Sequence, residues 1–386
     1  MRRLLIINNV PTPYRTFMFN KMHEKGREFG VEVTVAFQAE RLSYRAWDPN
    51  EDEMKFPHFF STGLNPFSTA PLPMFTYRTF STDILRAVAS RRFEWVLVAP
   101  LLSVGSWAIA LIPAGKTQKL LWSESNLTSA RFVRGPVRWF KGVLVSPFAA
   151  LVCPGQRAAD YVWHLNPRLR GRPVIWLPNI VDTSVYWALV QERRAEREET
   201  RRELGVEPDQ TLVLGVGQMI ERKGYARLIE AASHVQGTYR IVMLGEGPLR
   251  QAWAREVVAL GLADRVQLPG EVDGSQLPRY LAAADWFVHP ALRDPSPLVV
   301  VEAGIAGLPL AVSAQTGNAR EAVRDDVNGF TFDAADQASV TRALQRIADT
   351  NVEERRIMGE ISSSLAREYF DPDAVIGAFF RGLLST

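Results

Sequence analysis

Short apolar runs alternate with helix-length segments along this chain, and that alternation limits its fold more than any other feature. "LLII", "VEVTVAF", "EWVLVAP", "KLLW" and "ALVC" recur in this way, the pattern of βα units around a buried parallel sheet. After "RPVIWLPNIVD" and the charge-rich "QERRAEREETRREL", the alternation restarts with "QTLVLGVG", "YRIVMLG", "DRVQLPG", "ADWFVHP" and "LPLAVS". A chain of 386 residues exceeds one ordinary core. The restart therefore predicts two Rossmann-like domains, 1–180 and 181–352, with a helical tail, 353–386, packing back towards the first.

Composition narrows the chemistry. With 47% hydrophobic and 23% charged residues the chain reads as globular. "MRRLLIINNVPTPY" is too short in apolar residues for a secretory h-region, and the most apolar windows are cut by Pro, Gly and Ser. The single cysteine, Cys153, excludes an internal disulfide, and the five histidines form no HxxxH pair. A cytoplasmic protein without a bound metal or cofactor is expected. Charge is uneven: residues 1–180 carry a surplus of +11 and the remainder −8. A basic half suits an anionic partner.

Two Rossmann-like halves first suggest a dinucleotide enzyme, but GxGxxG is absent. Gly215 and Gly217 are followed by Ile220 where the third glycine would stand, and Gly245 and Gly247 by Pro248 and Arg250. Instead "GQMIERKG", Gly217–Gly224, forms a strand-to-helix turn containing Lys223, the only lysine after position 180. A flexible point charge there suits a diphosphate, because it can follow charge developing on a leaving group. The plainer reading is a solvated lysine before a glycine turn.

"LRDPSPLVVVEAG" holds two acids, Asp294 and Glu302, around an apolar run. Ser296 as a cap and Pro297 at the first helical position predict a helix starting between them. Both acids then flank one helix N-terminus, where the N–H groups of Leu298 and Val299 and the helix dipole favour an anion. Carboxylates accept hydrogen bonds from hydroxyl pairs, so this arrangement fits a nucleotide-sugar, with diols at both ends and a diphosphate between. A loop cap and an ordinary helix glutamate would give the same letters.

"GQMIERKG", "LGEGPLR", the D-x7-E spacing, "TGNAREAV" with "NGF", and "LPNIVD" occur in the order found in family 4 glycosyltransferases of the GT-B fold, which residues 174–335 resemble. The first half resembles them through "NNVPTPYR" after its first strand. The resemblance implies an α/β fold of two Rossmann-like domains facing each other across a cleft, the second holding the nucleotide-sugar. It also implies donor contacts from Gly217, Gln218, Lys223, Asp294, Leu298, Val299 and Glu302, with Glu302 on the ribose diol and Asp294 on the transferred sugar.

Three positions depart from the family pattern. Gln218 replaces an arginine and can hydrogen-bond but not neutralise, Asp294 replaces the longer Glu, and Glu124 in "LLWSESN" stands where many members have a histidine. Lys223, Asp294, Glu302 and Glu124 are the expected catalytic residues. The function implied is retaining, metal-independent transfer of a sugar from a nucleoside diphosphate to a glycan, lipid-linked or small-molecule acceptor, with no nucleic-acid partner. A GT-B phosphorylase, a nucleotide-sugar epimerase and a non-catalytic scaffold are the alternatives.

"RFVRGPVRWFKGVLV" places Arg134, Arg138 and Lys141 among Trp139 and Phe140. Basic and aromatic residues at helical spacing can lie on an anionic bilayer, which predicts the acceptor side and a peripheral contact with the inner face of the membrane. An amphipathic helix with its aromatics in the core is the competing reading.

Overall fold

The computed structural model describes residues 1–39, 51–61, 81–99, 104–113, 115–130 and 133–386. It divides into two compact units, Met1–Val181 with Pro372–Thr386, and Asp182–Asp371. Each is built on one parallel sheet.

In the first unit, β1 (Arg2–Asn8), β2 (Val31–Phe37), β3 (His58–Phe60), β4 (Trp95–Val98), β5 (Gln118–Trp122), β6 (Ala150–Cys153) and β7 (Val174–Trp176) lie in the order β3-β2-β1-β4-β5-β6-β7. Central strands read as continuous apolar runs because helices cover both faces, and Leu4, Leu5, Ile6 and Ile7 of β1 are all fully buried. On one face Phe19 and Met22 of the helix Pro13–Glu28 meet Phe37 and Trp122 in a single core.

The 353–386 tail does not act as one piece. Val352–Tyr369 is opened by a capping box between Asn351 and Glu354 and packs against Leu298–Ile305 in the second unit. Asp371 precedes Pro372, which pushes it out of the helical region and ends that helix. Only the next helix, Pro372–Leu384, belongs to the first unit, where Ile376, Phe379, Phe380 and Leu383 enter the core and Phe380 stacks on Phe29.

In the second unit, β8 (Thr211–Val216), β9 (Tyr239–Leu244), β10 (Val266–Gly270), β11 (Trp286–His289), β12 (Leu310–Ser313) and β13 (Gly329–Phe332) lie in the order β10-β9-β8-β11-β12-β13. The chain winds one way from β8 and the other way from β11. The crevice outside the carboxyl ends of these two neighbours is the switch point at which open α/β sheets bind ligands.

Candidate functional site

Three loops meet at the carboxyl end of this sheet. The loop after β8 runs Gly217–Gly224, and its backbone interlocks with the loop after β9: Gly217 N–H donates to Leu244 O at 2.9 Å and Met219 N–H to Glu246 O at 2.8 Å. The fit needs glycine, since a Cβ on Gly245 would stand 2.1 Å from Gly217 O. Glu221–Lys223 forms one 3-10 turn closed by Gly224 at φ 74°. A Cβ at Gly224 would stand 1.9 Å from Pro290 O, so this glycine lets the β8 loop rest on the chain leaving β11.

That contact brings together residues distant in sequence. Lys223 and Asp294 are both buried, and Lys223 Nζ donates to Asp294 Oδ2 at 2.6 Å. His289, the last residue of β11 and fully buried, places Nε2 3.2 Å from the same oxygen. Burial alone would raise the Asp294 carboxyl, but His289 and Lys223 outweigh it and hold the acid well below the usual carboxylate range. Burial lowers the His289 imidazole below its ordinary range, which favours the neutral ring. An ionised carboxylate only accepts, so the imidazole proton sits on Nε2. Nδ1 is buried with no partner, and among the described residues no group donates to Asp294 Oδ1. One oxygen of Asp294 is thus held and the other left open.

The helix after Asp294 starts at Leu298, one residue later than the Ser296–Pro297 pattern predicts. Pro297 takes the cap position and no side chain caps the helix, which leaves its first N–H groups to a ligand or to water. Asn318 Nδ2 donates to Pro297 O at 3.0 Å and anchors this end, while Gly317 N–H donates to Asp294 O at 2.8 Å. Glu302 lies just over one turn inside. It is half-buried, and its low-dielectric surroundings raise the carboxyl to about 7. No described residue hydrogen-bonds its side chain. The Tyr186 hydroxyl, buried and unpaired, is raised by burial and by the Glu302 charge, so the two groups are neighbours.

Lys223, Asp294, Glu302, Gly217 and the Leu298–Val299 turn therefore surround one switch point, with Gln218 exposed at its edge. Reading by sequence missed His289. The only sequence signal is the "H" in "ADWFVHP", a lone histidine closing an apolar run with no partner at a ligand spacing.

Glu124 lies in the first unit, on the loop after β5. It forms an ion pair with Arg15, whose buried guanidinium lies 4.2 Å from the ring centroid of Trp122. Arg15 belongs to the "NNVPTPYR" stretch, so the segments that follow β1 and β5 meet at the carboxyl end of this sheet.

The helix Gly135–Val145 presents its residues differently from the bilayer arrangement expected. Arg138 donates through Nε and Nη2 to His164 O at 2.9 and 2.7 Å, and Lys141 is buried with Nζ 3.5 Å from the Tyr161 hydroxyl. Both basic side chains face the protein. A Cβ on Gly142 would stand 2.5 Å from Leu165 O, so the helix turns its small residue inward. Trp139 (69% exposed), Phe140 (42%) and Val143 (44%) are turned to solvent instead, with the Phe140 ring edge-on to Trp107 of the helix Val104–Leu111. Arg134 is exposed, while Arg131 and Phe132 lie outside the described residues. No described helix is long and apolar enough to cross a membrane.

Residues 196–364 match the family model of glycosyl transferases group 1. The chain is 30% identical over 185 residues to the lipopolysaccharide core biosynthesis glycosyltransferase LpsE of Rhizobium meliloti, covering 48% of this chain and 53% of that protein. It is 32% identical over 278 residues to a D-inositol 3-phosphate glycosyltransferase of Xylanimonas cellulosilytica, covering 67% of this chain and 64% of that protein. The matches thus span between half and two-thirds of these relatives' own length. Among solved structures, Anabaena HepE in complex with UDP and glucose superposes with a TM-score of 0.73 at 16% identity, each chain covered in full. Sucrose-phosphate synthase from Thermosynechococcus elongatus gives 0.72 at 18%, also over both full chains. The chain has the GT-B fold, and within its second unit residues 196–364 match the glycosyl transferases group 1 model.

Proposed function

We propose that the protein is a retaining glycosyltransferase that moves a sugar from a nucleoside diphosphate to an acceptor hydroxyl without a metal ion. The observation that carries this is the buried Lys223–Asp294 pair at the mouth of an uncapped helix, with a second, unpaired acid, Glu302, one turn along. The lysine and the free N–H groups suit a diphosphate, and the two acids suit hydroxyl groups on either side of it. The solved neighbour HepE holds UDP and glucose, and the relatives named above include glycosyltransferases of lipopolysaccharide core and inositol phosphate.

In the transfer, the bond between the anomeric carbon and the diphosphate oxygen breaks as the acceptor oxygen bonds to the same face, and the acceptor proton passes to the departing diphosphate. Lys223 and the Leu298–Val299 N–H groups stabilise the charge that grows on that leaving group. Asp294 and Glu302 orient the donor. A thermal-shift screen against UDP-, GDP-, ADP- and dTDP-sugars, repeated in EDTA, tests the donor and metal independence together, because a ligand bound only by the folded state raises its stability. Product anomers read by NMR test retention.

A specific surface favours a membrane-facing acceptor. The exposed Trp139, Phe140 and Val143 form an apolar stripe along one helix in a unit of positive net charge, the composition of an interfacial contact with anionic lipid.

A further inference from the structure

We propose that His289 is a positioning residue for the sugar half of the donor: its Nε2–H fixes Asp294 so that Oδ1 faces the ligand, and keeps holding the acid after Lys223 turns to the diphosphate. This rests on the glycosyl-transfer reading above. Lys223 and His289 both donate to Oδ2, at 2.6 and 3.2 Å. The lysine is the flexible member of the pair. A diphosphate at the uncapped helix end competes for its ammonium, and Asp294, buried, would then face desolvation without its cation. His289 cannot follow, because it ends β11, is fully enclosed and lies parallel to the Phe287 ring. Its donor to Oδ2 therefore survives the exchange, and the carboxylate keeps the rotation that offers Oδ1 to sugar hydroxyls. Tyr225 is a second permanent neighbour: its buried hydroxyl has no partner and lies within the Asp294 field.

The test compares His289→Leu, which removes the donor, with His289→Gln, whose amide can place an N–H near the Nε2 position. Calorimetric affinities are measured for the free nucleoside diphosphate and for the intact nucleotide-sugar found in the donor screen. His289→Leu is expected to leave the diphosphate within about twofold and to weaken the intact donor about tenfold or more, and His289→Gln to recover most of that loss. Equal losses for both ligands, or a glutamine variant no better than leucine, overturn the assignment and reduce His289 to a packing role. Nitrogen-15 NMR of the wild-type imidazoles is an independent check requiring no variant. A proton on Nε2 of His289 is expected, and one on Nδ1 overturns the proposal. If no nucleotide-sugar binds wild type, the glycosyl-transfer reading fails with the sugar half of this inference, while the tautomer still decides the His289–Asp294 hydrogen bond.

Discussion

Lys223 and Asp294 are 71 residues apart in the chain and 2.6 Å apart in space, where β8 and β11 run side by side. The pair fixes what removing the cation should do. Lys223→Ala is expected to slow transfer more than it weakens donor binding, with a loss on the order of 10² to 10³ in kcat, because the charge it meets grows as the bond breaks. An unchanged kcat with only a raised KM would assign the lysine to uniform binding instead.

The two acids should separate by ligand. Glu302→Gln is expected to weaken both the free nucleoside diphosphate and the intact donor, whereas Asp294→Asn should spare the free nucleotide and damage only sugar-dependent binding. Titrating each variant with both ligands checks this, and equal effects on nucleotide affinity would sink the assignment.

Glu302 also sets a pH dependence. Its folded carboxyl titrates at about 7 because burial disfavours the anion. Between the unfolded value near 4.3 and that point, the folded state binds the extra proton, so this group's contribution to stability falls as pH rises across the window. Hydroxyl ligands favour the anion, so nucleotide affinity should climb as pH passes upward through about 7. Glu302→Gln should flatten both trends in denaturation and binding series run from pH 5 to pH 8. Affinity falling with pH would mean that the acid donates rather than accepts.

At the surface, Trp139→Ser with Phe140→Ser is expected to abolish pelleting with anionic vesicles at low salt while donor affinity persists. Lys141→Glu, by contrast, should lower the melting temperature before it alters lipid binding, because that lysine is buried against Tyr161. Wild type that ignores anionic vesicles would point to an acceptor away from the bilayer.

Gly224→Ala should destabilise the second unit by about 2 kcal/mol or more, since it adds a methyl group at φ 74° against the Pro290 carbonyl. Chemical denaturation measures the loss, and a variant as stable as wild type would show that the two loops can separate freely.

Much of the fold was legible because buried parallel strands write themselves as apolar runs, and the restart near Thr211 marked the second sheet. The D-x7-E spacing and the lone lysine found most of the candidate site. His289 was not legible, because a histidine ending a strand carries no spacing signal and its role depends on a loop folding back five residues later. Nor could spacing give the phase of Gly135–Val145. Arg138 and Lys141 lie three apart and so do Phe140 and Val143, and either stripe could face inward. Gly142 decided it, by allowing the helix to approach the Leu165 carbonyl more closely than any side chain would permit.

The return of Pro372–Leu384 to the first unit bears on how the chain matures. A ribosome delivers Phe379, Phe380 and Leu383 only after all of Asp182–Asp371 has been made, yet these side chains close the core that Phe19 and Met22 began. The first unit to emerge is therefore the last to finish, and during synthesis it exposes an apolar seam against Phe29 and Ile175 that a chaperone could occupy.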